Sequence, residues 1–110
     1  MEKTVLAFIS EFTNKGQWQE VITSFTCGNC YWFAWILQGR FFNSNVTIVY
    51  DEIANHFGCA IDNKVYDITG DVTNNYNWDN WSEVYLRDPL LGDRIIRDCV
   101  LKEKFNECAP

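Results

Sequence analysis

Apolar residues at Val5, Phe8, Ile9 and Phe12 recur at i, i+3, i+4 and i+7, the spacing of one helix face. The pattern predicts an amphipathic helix over residues 4–14, capped by Thr4 and ended by Gly16. Trp18, Val21, Ile22 and Phe25 repeat the spacing and predict a second, shorter helix. Residues 26–29 break it. From Cys30 to Phe41 the chain is apolar almost all round, through Tyr31, Trp32, Phe33, Ala34, Trp35, Ile36 and Leu37. A helix that apolar is expected at the centre of the molecule, buried. Asn43-Ser44-Asn45 signals a turn. Val46 to Tyr50 is rich in β-branched residues and predicts a strand. A connection of undefined form covers Asp51 to Ala54. Residues 56–61 predict a second strand, Asp62-Asn63 a tight turn, and residues 64–68 a third strand.

Gly70 opens a polar segment that carries three large aromatics, Tyr76, Trp78 and Trp81. Residues 82–86 read as a helical turn. Asp88-Pro89 pairs a capping carboxylate with proline at the first helical position, a strong helix opening. Leu91, Ile95 and Cys99 fall four apart, beside Ile96 and Val100, and extend this last helix to about residue 102. Gly92 counts against a helix there. The whole predicts an α+β fold. N-terminal helices, including a central buried one starting at Cys30, pack on a small antiparallel sheet of at least three strands, and a C-terminal helix follows. No repeat or linker interrupts residues 1–110, so one domain is expected.

Composition narrows the function. The chain is 47% hydrophobic and 16% aromatic, which excludes a disordered class. No apolar run approaches the roughly 20 residues of a membrane helix. Met1-Glu2-Lys3-Thr4 lacks a signal-peptide layout, so a cytoplasmic protein with no membrane partner is expected. A net charge of −6 disfavours direct nucleic-acid binding and leaves room for a basic partner. Five cysteines, an odd number, argue for free, buried or catalytic thiols rather than a disulfide framework.

One constellation stands out. Cys30 falls where the apolar helix begins, and unpaired backbone N–H groups at a helix start favour a thiolate. His56, the only histidine, is the one candidate to take its proton. An orienting carboxylate should hold the other ring nitrogen. If Asp62-Asn63 form the hairpin turn, Ile61 pairs with Lys64, and Gly58 faces Asp67. His56, Gly58 and Asp67 then share one sheet face, with Asp67 diagonal to His56 and no side chain at Gly58 between them. Phe57, Cys59, Ile61, Tyr66 and Ile68 take the other face, all suited to burial. Tyr76, Trp78 and Trp81 either overhang the sulfur as a substrate-groove wall or cover the sheet's edge.

Cys27-Gly28-Asn29-Cys30-Tyr31 resembles the signature around a papain-type nucleophile. Together with Trp32-Phe33-Ala34, Asn55-His56-Phe57, Tyr66-Asp67-Ile68-Thr69-Gly70, Asp88-Pro89 and Arg97-Asp98-Cys99, it resembles small phage and bacterial proteins with a papain-like or transglutaminase-like core. The resemblance implies Cys30 as nucleophile, His56 as base and Asp67 as orienting group, without a cofactor. The substrate would be a peptide, a protein or a small amide or thioester, hydrolysed or passed to an acyl acceptor. Ser24 stands where papain-type enzymes carry an oxyanion glutamine, so the oxyanion donors would be the Cys30 backbone N–H with Asn29 or Gln19. The short interval from Cys30 to His56 fits the compact transglutaminase-like core better.

Two alternatives stay open. Cys27-x-x-Cys30 with His56-x-x-Cys59 has zinc-ligand spacing, although a strand would point His56 and Cys59 to opposite faces. Alternatively, the same fold serves as a phage-derived binding protein that blocks a host protein.

Overall fold

The structure is a computed structural model and describes residues 2–15 and 30–97. The helix expected over residues 18–25, the end of the last helix, and Gln19, Cys27, Asn29, Cys99 and Cys108 lie outside the described residues.

Helix α1 spans Glu2–Lys15 and α2 spans Cys30–Arg40. Five strands follow: β1 (Val46–Asp51), β2 (His56–Ile61), β3 (Lys64–Asp67), β4 (Gly70–Asp71) and β5 (Asp79–Asn80). Helices α3 (Trp81–Arg87) and α4 (Pro89–Ile95) come last among the described residues. The strands form one antiparallel sheet in the order β4-β3-β2-β1-β5. This is the expected α+β arrangement, with Cys30 opening the buried helix.

Several local rules act as the sequence predicts. Ile61 pairs with Lys64 across the Asp62-Asn63 turn, and Asp62 takes the left-handed conformation, φ 58°, that tight hairpins require. The Asp88 carboxylate accepts a hydrogen bond from the Leu91 N–H at 3.2 Å, capping α4 in front of Pro89. Other details differ. Helix α1 begins at Glu2, so Thr4 lies within its first turn and is not its cap. Gly92 sits inside α4 because a Cβ there would lie 2.5 Å from the Tyr85 ring of α3; close packing outweighs low helix propensity. The polar segment after Gly70 contributes β4 and β5, each too short to show alternation.

The sheet has two unlike faces. On one, Val5 and Ile9 of α1 and Phe33, Ala34 and Leu37 of α2 bury against Ile48, Tyr50, Phe57, Cys59, Ile61, Tyr66 and Ile68. Each large side chain so buried contributes about 2 kcal/mol. Helix α2 is not enclosed all round, since Trp35 remains 55% exposed. On the other face a smaller cluster joins Val49, Val65 and Val72 to Ala60, Tyr76 and Trp78. Helices cover the first face, and the segment between β4 and β5 covers the second.

Candidate active site

Strand alternation dictates which residues meet. Asp51 pairs directly with His56 and Val49 with Gly58, so Asp51, His56, Gly58 and Asp67 share the face that the helices leave open. His56 and Asp67 are both 5% exposed. The His56 Nε2 lies 2.8 Å from Asp67 Oδ2. The other carboxylate oxygen of Asp67 accepts from the Thr69 N–H at 2.7 Å and the Thr69 hydroxyl at 2.5 Å. Asp67 is thus fixed by its own turn before it meets the imidazole.

Cys30 is the other neighbour that acts on this ring. With Nε2 engaged by Asp67, Nδ1 is the nitrogen left for the sulfur. Cys30 is free, 7% exposed, and the first residue of α2, where backbone N–H groups favour negative charge. Burial pushes His56 down, but its hydrogen bond to the Asp67 carboxylate, and then the nearness and charge of Cys30, outweigh it, raising the imidazole to about 9. The imidazolium form is therefore favoured in place.

Two rings cover the imidazole. Tyr76 lies 5.0 Å from it centroid to centroid, Trp78 lies 5.9 Å away, and they are 4.9 Å from each other. The Trp78 indole N–H donates to the Val72 carbonyl at 3.1 Å. Gly58 makes room for this cover. A Cβ there would sit 2.8 Å from Val65 Cγ1 and 3.1 Å from the Trp78 ring. Glycine thus does more than leave His56 and Asp67 unobstructed; it seats Trp78.

Trp78 and Trp81 part company. Trp81 packs at 5.3 Å from Tyr50 and 5.0 Å from Phe57, on the helix-covered face. The two residues of β5 separate the tryptophans, and the chain delivers them to opposite sides of the sheet. Trp81 is therefore placed away from the imidazole, whereas Trp78 is against it. Asn29 and Gln19 are not among the described residues.

Asp51 was not singled out by sequence, yet it ties the cover down. Its Oδ1 accepts from the backbone N–H groups of Ile53 (2.8 Å) and Ala54 (3.0 Å), and Oδ2 accepts from that of Asn77 (2.9 Å). One buried carboxylate thereby holds both the turn that delivers His56 and the segment that carries Tyr76 and Trp78. Burial pushes its acidity the other way, but the bonds from Ala54, Asn77 and Ile53, with the nearby His56 charge, hold it below the usual carboxylate value. The signal available was an aspartate at a strand end with a turn behind it.

Cys59 faces away from His56, into the helix-covered core, fully buried. Burial outweighs a backbone bond from Thr47 and pushes its thiol up to about 12, so it stays protonated. Among the described residues no group of three or more His, Cys, Asp or Glu side chains is arranged to hold a metal ion.

Fold and site together define a small α+β protein in which a buried histidine pairs with an aspartate and a cysteine opens the buried helix. The model of the phage YunG-like protein family matches residues 5–89, from α1 to the first residue of α4, and the chain belongs to that family. No curated protein and no solved structure matches the chain. No helix among the described residues is long and apolar enough to cross a membrane.

Proposed function

We propose that the chain is a papain-like or transglutaminase-like thiol enzyme, with Cys30 as nucleophile, His56 as proton shuttle and Asp67 as the group that orients the imidazole. One observation carries this reading: the buried imidazole pairs with Asp67 at 2.8 Å, and Cys30, at the start of α2, is near enough to help raise the same ring. A buried histidine that served packing alone would need one partner, and that partner would not have to be a thiol at a helix start.

In this mechanism the Cys30 thiolate adds to the carbonyl carbon of an amide or thioester, and the C=O electron pair moves onto oxygen. The Cys30 backbone N–H, with Asn29 or Gln19, would donate to that oxyanion. As the tetrahedral species collapses, the His56 imidazolium gives its proton to the departing amine or thiolate, and an acyl-thioester on Cys30 remains. Water, deprotonated by His56, then releases the acid and restores the cysteine; an amine in place of water gives transfer. Asp67 balances the imidazolium in both halves. No cofactor is invoked.

The test is kinetic. A thiol-reactive electrophile should modify Cys30 faster than the other four cysteines, and His56→Ala should slow that reaction by about 100-fold. Uniformly slow modification of all five would refute the reading. A second reading, a phage-derived binding protein for a host factor, rests on the nearly full exposure of Ile53, Leu86 and Leu90. Under it, Cys30→Ala keeps the biological effect.

A further inference from the structure

A cleft of about 460 Å³ opens between the β1–β2 turn and the segment before β5. Asp51, Ile53 and Ala54 line one side, and residues 74–77 line the other. Its size is within the range that takes a side chain or a small ligand. Tyr76 is the wall it shares with the candidate active site, for the same ring that lines the cleft packs at 5.0 Å against His56.

We propose, building on the thiol-enzyme reading above, that this cleft is the substrate subsite next to Cys30 and that it takes a cationic side chain, an ammonium or guanidinium, on the acyl-donating substrate.

Chemistry of the lining carries the choice of ligand. None of the described residues lining the cleft is Lys or Arg, and the one charged residue is Asp51. Asn74, Asn75 and Asn77 offer amide carbonyls that accept hydrogen bonds from an ammonium or guanidinium group. Tyr76 offers an aromatic ring for a cation, and Ile53, projecting at the rim, offers an apolar shoulder for the methylene stem of a lysine or arginine. The local field has the same sign. Burial first, and then the negative charges of Asp67, Asp51 and Cys30, push the Tyr76 phenol up. Those three groups belong to three separate elements and act on one ring. Arg87, the cation on the neighbouring α3, is occupied by Glu52 at 2.7 Å and Asp79 at 3.8 Å. The one cation beside the cleft, the His56 imidazolium behind Tyr76, is paired with Asp67, so an anionic substrate group meets no free compensating charge among the described lining residues.

Three methanethiosulfonates with one warhead and an ammonium, neutral or sulfonate tail test the inference on the full chain. Cys30 modification is followed by peptide mass spectrometry, and each rate is divided by that of free cysteine. The ammonium reagent should exceed the sulfonate reagent by about tenfold at low ionic strength, and salt should compress the ratio. Asn74→Lys and Asn75→Lys, both at exposed positions, should each reduce the ratio severalfold, slowing the ammonium reagent relative to the neutral one. An unchanged ratio in both variants would overturn the subsite while leaving the nucleophile intact. Slow modification by all three reagents, with no effect of His56→Ala, would instead remove the thiol-enzyme reading and this inference with it.

Discussion

The two faces of β2 are built from alternate residues of one short strand, yet they obey different physics. Phe57, Cys59 and Ile61 face α1 and α2, and that side is held by close apolar packing. His56 and Gly58 face the segment before β5, and that side is held by hydrogen bonds to two buried carboxylates, Asp51 and Asp67. The contrast is clearest in the titrating groups. Burial dominates at Cys59, over an opposing backbone bond from Thr47, and drives its thiol to about 12, whereas buried His56 is raised to about 9 because partners outweigh burial. Two residues separate an inert group from a charged one. Burial therefore does not decide reactivity in this fold; what matters is whether the chain supplies a partner at the buried position.

Breaking the apolar face should cost most. Phe57→Ala removes a fully buried ring that packs against Tyr50, Tyr31 and Trp81, and urea denaturation should show a loss of about 4 kcal/mol. Titrating the polar face comes next. His56 is raised from 6.5 to about 9 in the folded chain, so folding favours the proton. The stability this contributes, up to about 3 kcal/mol, is fully present below pH 6.5 and is lost as the pH climbs through 9. Urea midpoints measured across that window should fall with rising pH, and His56→Gln should flatten the fall.

Smaller effects separate the cover from the core. Asp51→Ala leaves three backbone N–H groups without their acceptor and should cost about 2 kcal/mol. It should also loosen Tyr76 and Trp78 from the imidazole, seen as a change in tryptophan fluorescence and a slower Cys30 reaction. Gly58→Ala pushes a methyl group toward Val65 and Trp78 and should cost about 1–2 kcal/mol. Its stability loss should come with a displaced Trp78 signal and an undisturbed helix-covered face. If Gly58→Ala instead disturbed Phe57 and its neighbours, the two faces could not be treated as independent.

Much of this was legible in the sequence because the determining rules are local. Asp62-Asn63 fixed a register, and that register alone put His56, Gly58 and Asp67 on one side and Phe57, Cys59, Ile61, Tyr66 and Ile68 on the other. Asp88-Pro89 marked a helix start through one carboxylate and one ring. What stayed hidden depends on residues far apart in the chain. Asp51 meets Asn77 only once the segment before β5 has folded back. The separation of Trp78 from Trp81 depends on β5, whose two residues carry no periodic signal. Gly92 looked unfavourable because its justification, the Tyr85 ring, belongs to another helix.

The strand order has a kinetic corollary. From β1 to β4 each strand neighbours its predecessor, so most of the sheet can zip from short hairpins with little loop-closure entropy. Only β5 must travel back past three strands to join β1, bringing Tyr76 and Trp78 with it. A refolding chain should therefore assemble its hairpins first and shield the imidazole last. Pulse-labelled amides of β2 and β3 should gain protection ahead of the Asn77 amide that Asp51 receives.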